Sequence, residues 1–451
     1  MGKSRALSVV VATAAATLVT GMTSAPAGAA STYDPAPAKS GATWLSDQVT
    51  DGLVHNEQYD FDDVGLSIDV ALGLDAAGKK PTVVKAITKA VAKNVAFYTA
   101  FAPSVYAGPT AKAAVLALSQ DKNPHAFGGV DLVKQLEARV ATTAPITGRI
   151  EDAFDPTDEF GGDYANVIGQ AYAAQALSVV GSAKAKSATA FLLAQQCDKG
   201  YFRQYFTVDK TRTDQSCQGA PRAERGASTD ATALAVLALQ DVKGSKAKAA
   251  VKRAVEWLIS RQQRNGGFTD TGKVAPYNTN STGLAGWALG EAGATKQAEH
   301  AAGAVRALQS EGTNPCTGKV GDAVGAIAFG LDAWDAAGDK GITAKTSDQW
   351  RRATAQALPV LRWAPRAEVK EFTATAPATA PPASFFKIKL TGTAPGQRVC
   401  VTGGGKVEYG YGVRGPVRHV DGEASGRTGD IMRTTVWLGS RHRDVAVRVT
   451  G

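Results

Sequence analysis

Apolar residues fall at two densities along this chain, and the contrast predicts two kinds of helix. In SKAKAAVKRAVEWLIS (245–260), Ala247, Ala250, Val251, Ala254, Trp257 and Leu258 share one face at helical spacing, while Lys246, Lys248, Lys252, Arg253 and Glu256 share the other. Such a stripe belongs to an outer helix with one face in water. The segment ATALAVLAL (231–239) is apolar almost all round, as expected of a helix covered on every side. Comparable segments stand at GLSIDVALGLDAAG (65–78), TAKAAVLAL (110–118), ANVIGQAYAAQAL (165–177), TGLAGWALGEAG (282–293) and DAVGAIAFGLDAWDAAG (322–338). Six inner helices are therefore predicted, at spacings of roughly 45 to 60 residues.

Three stretches between these helices spell one phrase: an apolar pair, then Q-x-x-x-G and a further apolar residue. They are Phe191-Leu192 with Gln196, Gly200 and Phe202; Trp257-Leu258 with Gln262, Gly266 and Phe268; and Trp44-Leu45 with Gln48, Gly52 and Val54. The phrase reads as a helix end, with glutamine bonding free carbonyls and glycine supplying the left-handed residue that stops the helix. The predicted fold class is mainly α: an alpha6/alpha6 toroid of helix pairs around a central cavity, over residues 30–365.

The Q-x-x-x-G-x-aromatic phrase resembles the repeat of squalene-hopene cyclases and of protein prenyltransferase subunits, the alpha/alpha-toroid superfamily. That resemblance implies the toroid but leaves activity open, since one fold carries unrelated functions.

Lys3 and Arg5 precede an apolar run from Ala6 to about Val19 and then Ala27-Gly28-Ala29, which reads as a secretory signal peptide over residues 1–29. No later run is long and apolar enough for a transmembrane segment, so a secreted, extracellular protein is expected. Residues 366–384, with TATAPATAPPAS at their end, are predicted to be a Pro/Ala/Thr linker without a core of its own. After it, FFKIKLTG (385–392), QRVCVTG (397–403), KVEYGYGV (406–413), IMRTTVWLG (431–439) and RDVAVRVTG (443–451) alternate in the manner of strands between Gly-rich turns. They predict a small antiparallel β-sandwich, immunoglobulin-like, over residues 385–451.

Of the formal net charge of +9, most lies in this last part: residues 370–451 hold 12 Lys and Arg against 6 Asp and Glu. A basic exported module suggests adhesion to anionic cell-wall polymers. No recognised nucleic-acid motif accompanies the arginines, and no nucleic-acid partner is expected. Four cysteines in an exported chain point to disulfides. Cys197 and Cys217 are expected to bridge across one loop; Cys316 and Cys400 either pair across the domain junction or stay free.

Asp60-Phe61-Asp62-Asp63 resembles the D-x-D-D motif of class II terpene cyclases, in which Asp62 would be the acid that protonates an alkene, held protonated by its neighbours Asp60 and Asp63. That chemistry needs a carboxylic acid in a dry cavity. The same residues head the first inner helix, where a capping aspartate serves equally well. The histidines His55, His125, His300, His419 and His442 lack the ligand spacing of a zinc site. Glu151, Asp152, Asp155, Asp158, Glu159 and Asp163 form an acidic loop that matches no established calcium spacing and reads as a solvated turn. No metal or cofactor is expected. Tyr164, Asn166, Gln170, Tyr172, Tyr277, Asn280 and Trp287 are the candidate ligand-binding side chains, being polar or aromatic on inner helices or the loops leading into them.

Two functions compete. One is a non-catalytic exported toroid that captures a small hydrophobic or amphipathic ligand or attaches to the cell envelope; its one-barrel-plus-β-domain layout resembles that of the transcobalamin family, whose ligand lies between the domains. The other is a terpene cyclase-like enzyme that protonates a polyprenyl substrate through Asp62.

Overall fold

The computed structural model describes residues 32–451 except 158, 160, 272–275, 404–405 and 413–414; the predicted signal peptide and Asp158 lie outside the described residues. Six helices form the inner ring: α2 (Val64–Ala76), α4 (Ala107–Ser119), α6 (Val167–Val179), α8 (Thr229–Gln240), α10 (Thr279–Glu291) and α13 (Ala344–Ala357). Each packs on the next, and α13 packs on α2, so the ring closes. The outer ring is α1 (Ala36–Ser46), α3 (Pro81–Thr99), α5 (Leu132–Glu137), α7 (Ala185–Ala194), α9 (Ser245–Arg261) and α11 (Thr295–Arg306). On α9 the buried residues are Ala247, Ala250, Ala254, Trp257 and Leu258, the predicted stripe.

The repeated glutamine joins one outer helix to the next. Gln196, after α7, donates from Nε2 to the carbonyls of Gly200 in its own loop and Ala250 on α9, both at 2.8 Å. Gln262 repeats this to Gly266 at 3.0 Å and to Gln297 on α11 at 2.9 Å. A copy that the sequence pattern hid, Gln309, bonds Gly325 at 3.1 Å and Pro37 on α1 at 2.9 Å, tying the last outer helix to the first. The glycines are not helix stops: α7 ends at Ala194, well before Gly200. Gly200 (φ +96°) sits against the neighbouring helix, where a Cβ would come 2.4 Å from the carbonyl oxygen of Arg253. Both the backbone conformation and the space require glycine there.

A second repeated contact fixes five of the six inner helices, all but α4. The N–H of Phe202 donates to Thr232 on α8 at 2.9 Å, and that of Phe268 to Thr282 on α10 at 2.9 Å. Val54 bonds Ser67 on α2 at 2.8 Å, Ile150 bonds Gln170 on α6 at 2.9 Å, and Ile327 bonds Thr354 on α13 at 3.0 Å. All five acceptor side chains are fully buried.

The sixth inner helix is therefore α13, which corrects the segment predicted at 322–338. Ala326, Ile327 and Ala328 are buried, but Ile327 is extended and bridges Gln309, and only Leu331–Lys340 is helical, as α12. The sequence of α13 looks too polar for an inner helix because Arg351 and Arg352 meet partners there, Glu57 and Asp63.

Short antiparallel pairings decorate the ring: β1 (Val49–Thr50), β2 (Leu53–Asn56) and β3 (Phe61–Asp63), then β4 (Ala100–Phe101) with β5 (Ser104–Val105). The C-terminal part consists of β6 (Thr373–Thr375), β7 (Thr379–Ala380), β8 (Ser384–Thr391), β9 (Arg398–Gly403), β10 (Lys406–Tyr411), β11 (His419–Ala424), β12 (Ile431–Leu438) and β13 (Arg441–Val449). One sheet has the order β10-β9-β12-β13-β7 and the other β11-β8-β6. All pairings are antiparallel except β13 with β7. Phe372, Phe386, Ile388, Val399, Val436 and Val447 belong to one shared apolar core.

The stretch predicted to be a linker thus supplies two strands, with Phe372 and Ala380 buried in that core. Proline is tolerated because β6 and β7 are edge strands, where missing N–H groups leave no ladder bond unmade. Strand β11 escaped notice because Asp421, Gly422 and Glu423 do not read as β; Gly422 lies under the ring of Phe386, with no room for a Cβ.

Toroid and β-domain are joined covalently by Cys316–Cys400, which decides the alternative that the sequence left open. Beside it the Arg398 guanidinium lies 4.3 Å from the centre of the Trp334 ring, and Gln397 donates to Glu311 at 3.1 Å. Cys197 and Cys217 are bridged as expected. No helix among the described residues is long and apolar enough to cross a membrane.

Candidate functional site

The anchoring side chains of five inner helices, and Thr110 at the matching position of α4, also mark what faces the centre of the ring. Two residues beyond Ser67, Thr110, Gln170, Thr232, Thr282 and Thr354 stand Asp69, Lys112, Tyr172, Leu234, Leu284 and Gln356. These six, one from each inner helix, all line a cavity of about 350 Å³. Tyr98, Tyr106, Asp152, Tyr164, Asn166 and Asp230 complete the polar part of its wall, and Ile168 extends the apolar part. A volume of this size suits a small molecule. Tyr164, 62% exposed, stands at the rim.

The charges inside are unevenly matched. Lys112 Nζ lies 2.6 Å from Asp69 and also donates to the carbonyl of Gly65 at 3.0 Å. Asp152 receives the N–H of Ala107 at 2.7 Å and that of Tyr164 at 3.0 Å, and its burial raises its pKa despite these bonds. Asp230 differs, because its Oδ1 is closed off from solvent and accepts no hydrogen bond. Burial, followed by the nearby charge of Asp270, pushes the Asp230 carboxyl up to about 7. Burial likewise raises the hydroxyl pKa of Tyr98 and Tyr172, so both rings stay neutral.

Of the seven ligand-binding candidates, the structure brings Tyr164, Asn166 and Tyr172 to this cavity. Asn166 also caps α6, accepting from Ile168 and Gly169 at 3.0 and 3.1 Å. The other four do not line it. Gln170 is fully buried and bonds the carbonyls of Gly148 and Ala188, each at 2.9 Å, taking over the repeated glutamine's task from an inner helix. Tyr277 donates to the carbonyl of Ala304 at 3.1 Å, and Trp287 donates to Glu291 at 3.3 Å within α10. Asn280, near the start of α10, lies outside the lining.

The aspartates of the D-x-D-D-like stretch also lie outside the cavity. Asp60 is 97% and Asp62 58% exposed, each against His55, at 3.3 and 3.0 Å. Neither has the dry surroundings that alkene protonation requires. Asp63 is the cap of α2, accepting from Leu66 at 2.7 Å. The capping role expected at this stretch belongs to Asp63, and Asp62 is a surface residue of β3.

Ser228 is the cap of α8, and Asp230, two residues on, lines the cavity instead. The acidic loop is only partly a solvated turn. Asp152 is buried and Asp163 half-buried, Asp163 against Arg149 at 3.2 Å and Lys210 at 2.8 Å, while Asp155 folds onto the N–H of Thr157 at 2.8 Å and Glu159 is exposed. No His, Cys, Asp and Glu cluster able to hold a metal occurs among the described residues.

Residues 152–274, a little over a quarter of the chain, match the A-macroglobulin TED domain family. No curated protein matches the sequence. Among solved structures, a protein from Actinoplanes has a TM-score of 0.47 at 17% identity, over 73% of this chain and 99% of that one. A variant of the type II terpene cyclase MstE from Scytonema, in complex with geranylgeranyl dihydroxybenzoate, has a TM-score of 0.46 at 14% identity, over 72% of this chain and 96% of that one. The ent-copalyl diphosphate synthase from Streptomyces platensis has a TM-score of 0.42 at 16% identity; 66% of this chain covers 50% of that one. The chain spans half the length of that synthase, and at these TM-scores the likenesses carry nothing about activity.

Proposed function

We propose that this is an exported toroid that captures a small ligand in its central cavity without turning it over. The observation that carries the reading is that all six inner helices present one side chain at the same repeat position to one cavity. Capture between toroid and β-domain, in the manner of the transcobalamin-like layout, is less well supported. A recess of about 340 Å³ does lie there, but Arg306 in its wall is already paired with Asp34 at 3.1 Å and Glu311 at 2.7 Å. The cyclase-like alternative loses its physical basis, since Asp62 lies on the surface.

Export is supported by the leader-like pattern of residues 1–29 and by two disulfides. We place the end of the toroid near Trp363 and the start of the β-domain near Phe372. The order β10-β9-β12-β13 in one sheet and β11-β8-β6 in the other, with β7 parallel to β13, favours an immunoglobulin-like reading. Its excess of Lys and Arg suits adhesion to anionic wall polymers.

Native mass spectrometry of protein purified from its own culture medium tests capture. A retained small molecule, lost in Leu284→Trp, is the expected result. Wild type found only at its own unliganded mass would overturn capture, and turnover of a cavity-bound compound by wild type would overturn the non-catalytic reading.

A further inference from the structure

Building on cavity capture, we propose that the ligand carries an organic ammonium group, with Asp230 as its counter-ion and tyrosine rings around it. The charge inventory of the wall decides the sign. Lys112, the one cation among the described residues of the wall, is already held by Asp69 at 2.6 Å, so none of these residues leaves a cation for an anionic ligand. Both oxygens of Asp152 are occupied by backbone N–H groups, one from Ala107 and one from Tyr164. Among the described residues of the wall, Asp230 alone has a buried carboxylate oxygen, Oδ1, that no hydrogen bond compensates, so its charge is the one left unmatched beside the cavity. A buried carboxylate in that state costs free energy until a cation comes close enough to balance its charge.

The rest of the wall suits such a group. Tyr98, Tyr106, Tyr164 and Tyr172 supply aromatic rings, whose π faces attract cations. Leu234 and Leu284 on α8 and α10 offer an apolar surface for a short hydrocarbon body. An anion entering the same space would meet three aspartates and a single, neutralised lysine.

Binding is then tied to pH through Asp230, whose surroundings are Asp270 in the loop after α9, Ser281 on α10, and Asp69, Lys112 and Asp152 elsewhere in the wall. With its carboxyl pushed up to about 7, Asp230 is half-neutralised near neutrality, and affinity for a cation rises as pH rises through that value.

The test is calorimetric titration of the full chain with four probes of equal length: hexylammonium, hexyltrimethylammonium, hexanol and hexanoate. At about pH 8 the two cations should bind and hexanoate should not; Asp230→Asn should weaken the cations roughly 10- to 100-fold and remove the pH dependence. Tyr172→Leu should weaken the trimethylammonium probe more than the primary amine, and the surface variant Asp62→Asn should change neither. Thermal melts of each variant verify folding. Hexanol bound as tightly as hexylammonium, and excluded by Leu284→Trp, overturns the ammonium assignment while leaving cavity capture standing. Asp230→Asn with undiminished cation affinity also overturns it. If no probe binds below about 10 mM, weaker than any useful capture, the ammonium assignment falls; if mass spectrometry also finds no retained molecule, capture falls with it.

Discussion

Asp63 and Arg352, 289 residues apart, meet at 2.6 Å and join the first inner helix to the last. The same carboxylate caps α2, so one side chain both starts a helix and helps close the ring. Asp63→Ala should cost roughly 1–2 kcal/mol, chiefly from the lost cap. Asp62→Asn, next to it but exposed, should stay within about 0.5 kcal/mol. Urea unfolding midpoints of the two variants test the division; equal losses would show that the cap has been placed on the wrong residue.

The repeated glutamines should matter to stability far more than their polarity suggests. Gln262→Ala strands the carbonyls of Gly266 and Gln297, for an expected loss of roughly 2–4 kcal/mol. Gln170→Ala should be similarly destabilising and leave ligand retention in native mass spectra unchanged, because its bonds go to Gly148, Ala188 and Ile150. Loss of the retained ligand from a folded Gln170→Ala protein would return this residue to the binding site.

The two disulfides close loops of different length, with sequence separations of 20 and 84. In the chain-entropy model they are worth roughly 3 and 4–5 kcal/mol respectively. Thermal melts of Cys197→Ser/Cys217→Ser and Cys316→Ser/Cys400→Ser should show the larger drop for the second pair. Peptide mapping under non-reducing conditions should recover both bridges, and free thiols at any of the four positions would contradict the pairing.

Asp230 and Glu57 should shape acid stability in opposite directions. The folded pKa of Asp230, about 7, lies above its unfolded value, so the folded state holds more protons and this group's contribution declines as pH rises from about 4 to 7. Asp230→Asn should therefore be stabilising at about pH 8 and nearly neutral at about pH 4. Hydrogen bonding to Arg351 holds Glu57 at about 2, so its contribution is present above the unfolded value and lost as pH falls through the folded one. Glu57→Gln should be destabilising at neutral pH and close to silent near pH 2. Stability curves of the three proteins against pH measure both trends, and parallel curves would refute them.

The sequence by itself determined the inner and outer helices where burial is one-sided or complete, as on α9 and α8, because helical periodicity is a local property of the chain. It also gave away the repeated Gln and Gly, and five of the eight C-terminal strands. What the Gln and Gly are for was decided by the neighbouring helix: the acceptor of Gln196 is 54 residues away, and Gly200 is required by a carbonyl on another repeat. The polar face of α13 was misleading for the same reason, since Arg351 and Arg352 find Glu57 and Asp63 only once the ring is closed. The cavity was legible only after the repeats were in register, because the positions two beyond the anchoring side chain carry Asp, Lys, Tyr, Leu, Leu and Gln and have no residue type common to all. An exposed Asp62 and an enclosed Asp230 look alike in sequence. Burial distinguishes them, and burial arises from contacts between segments that are distant along the chain.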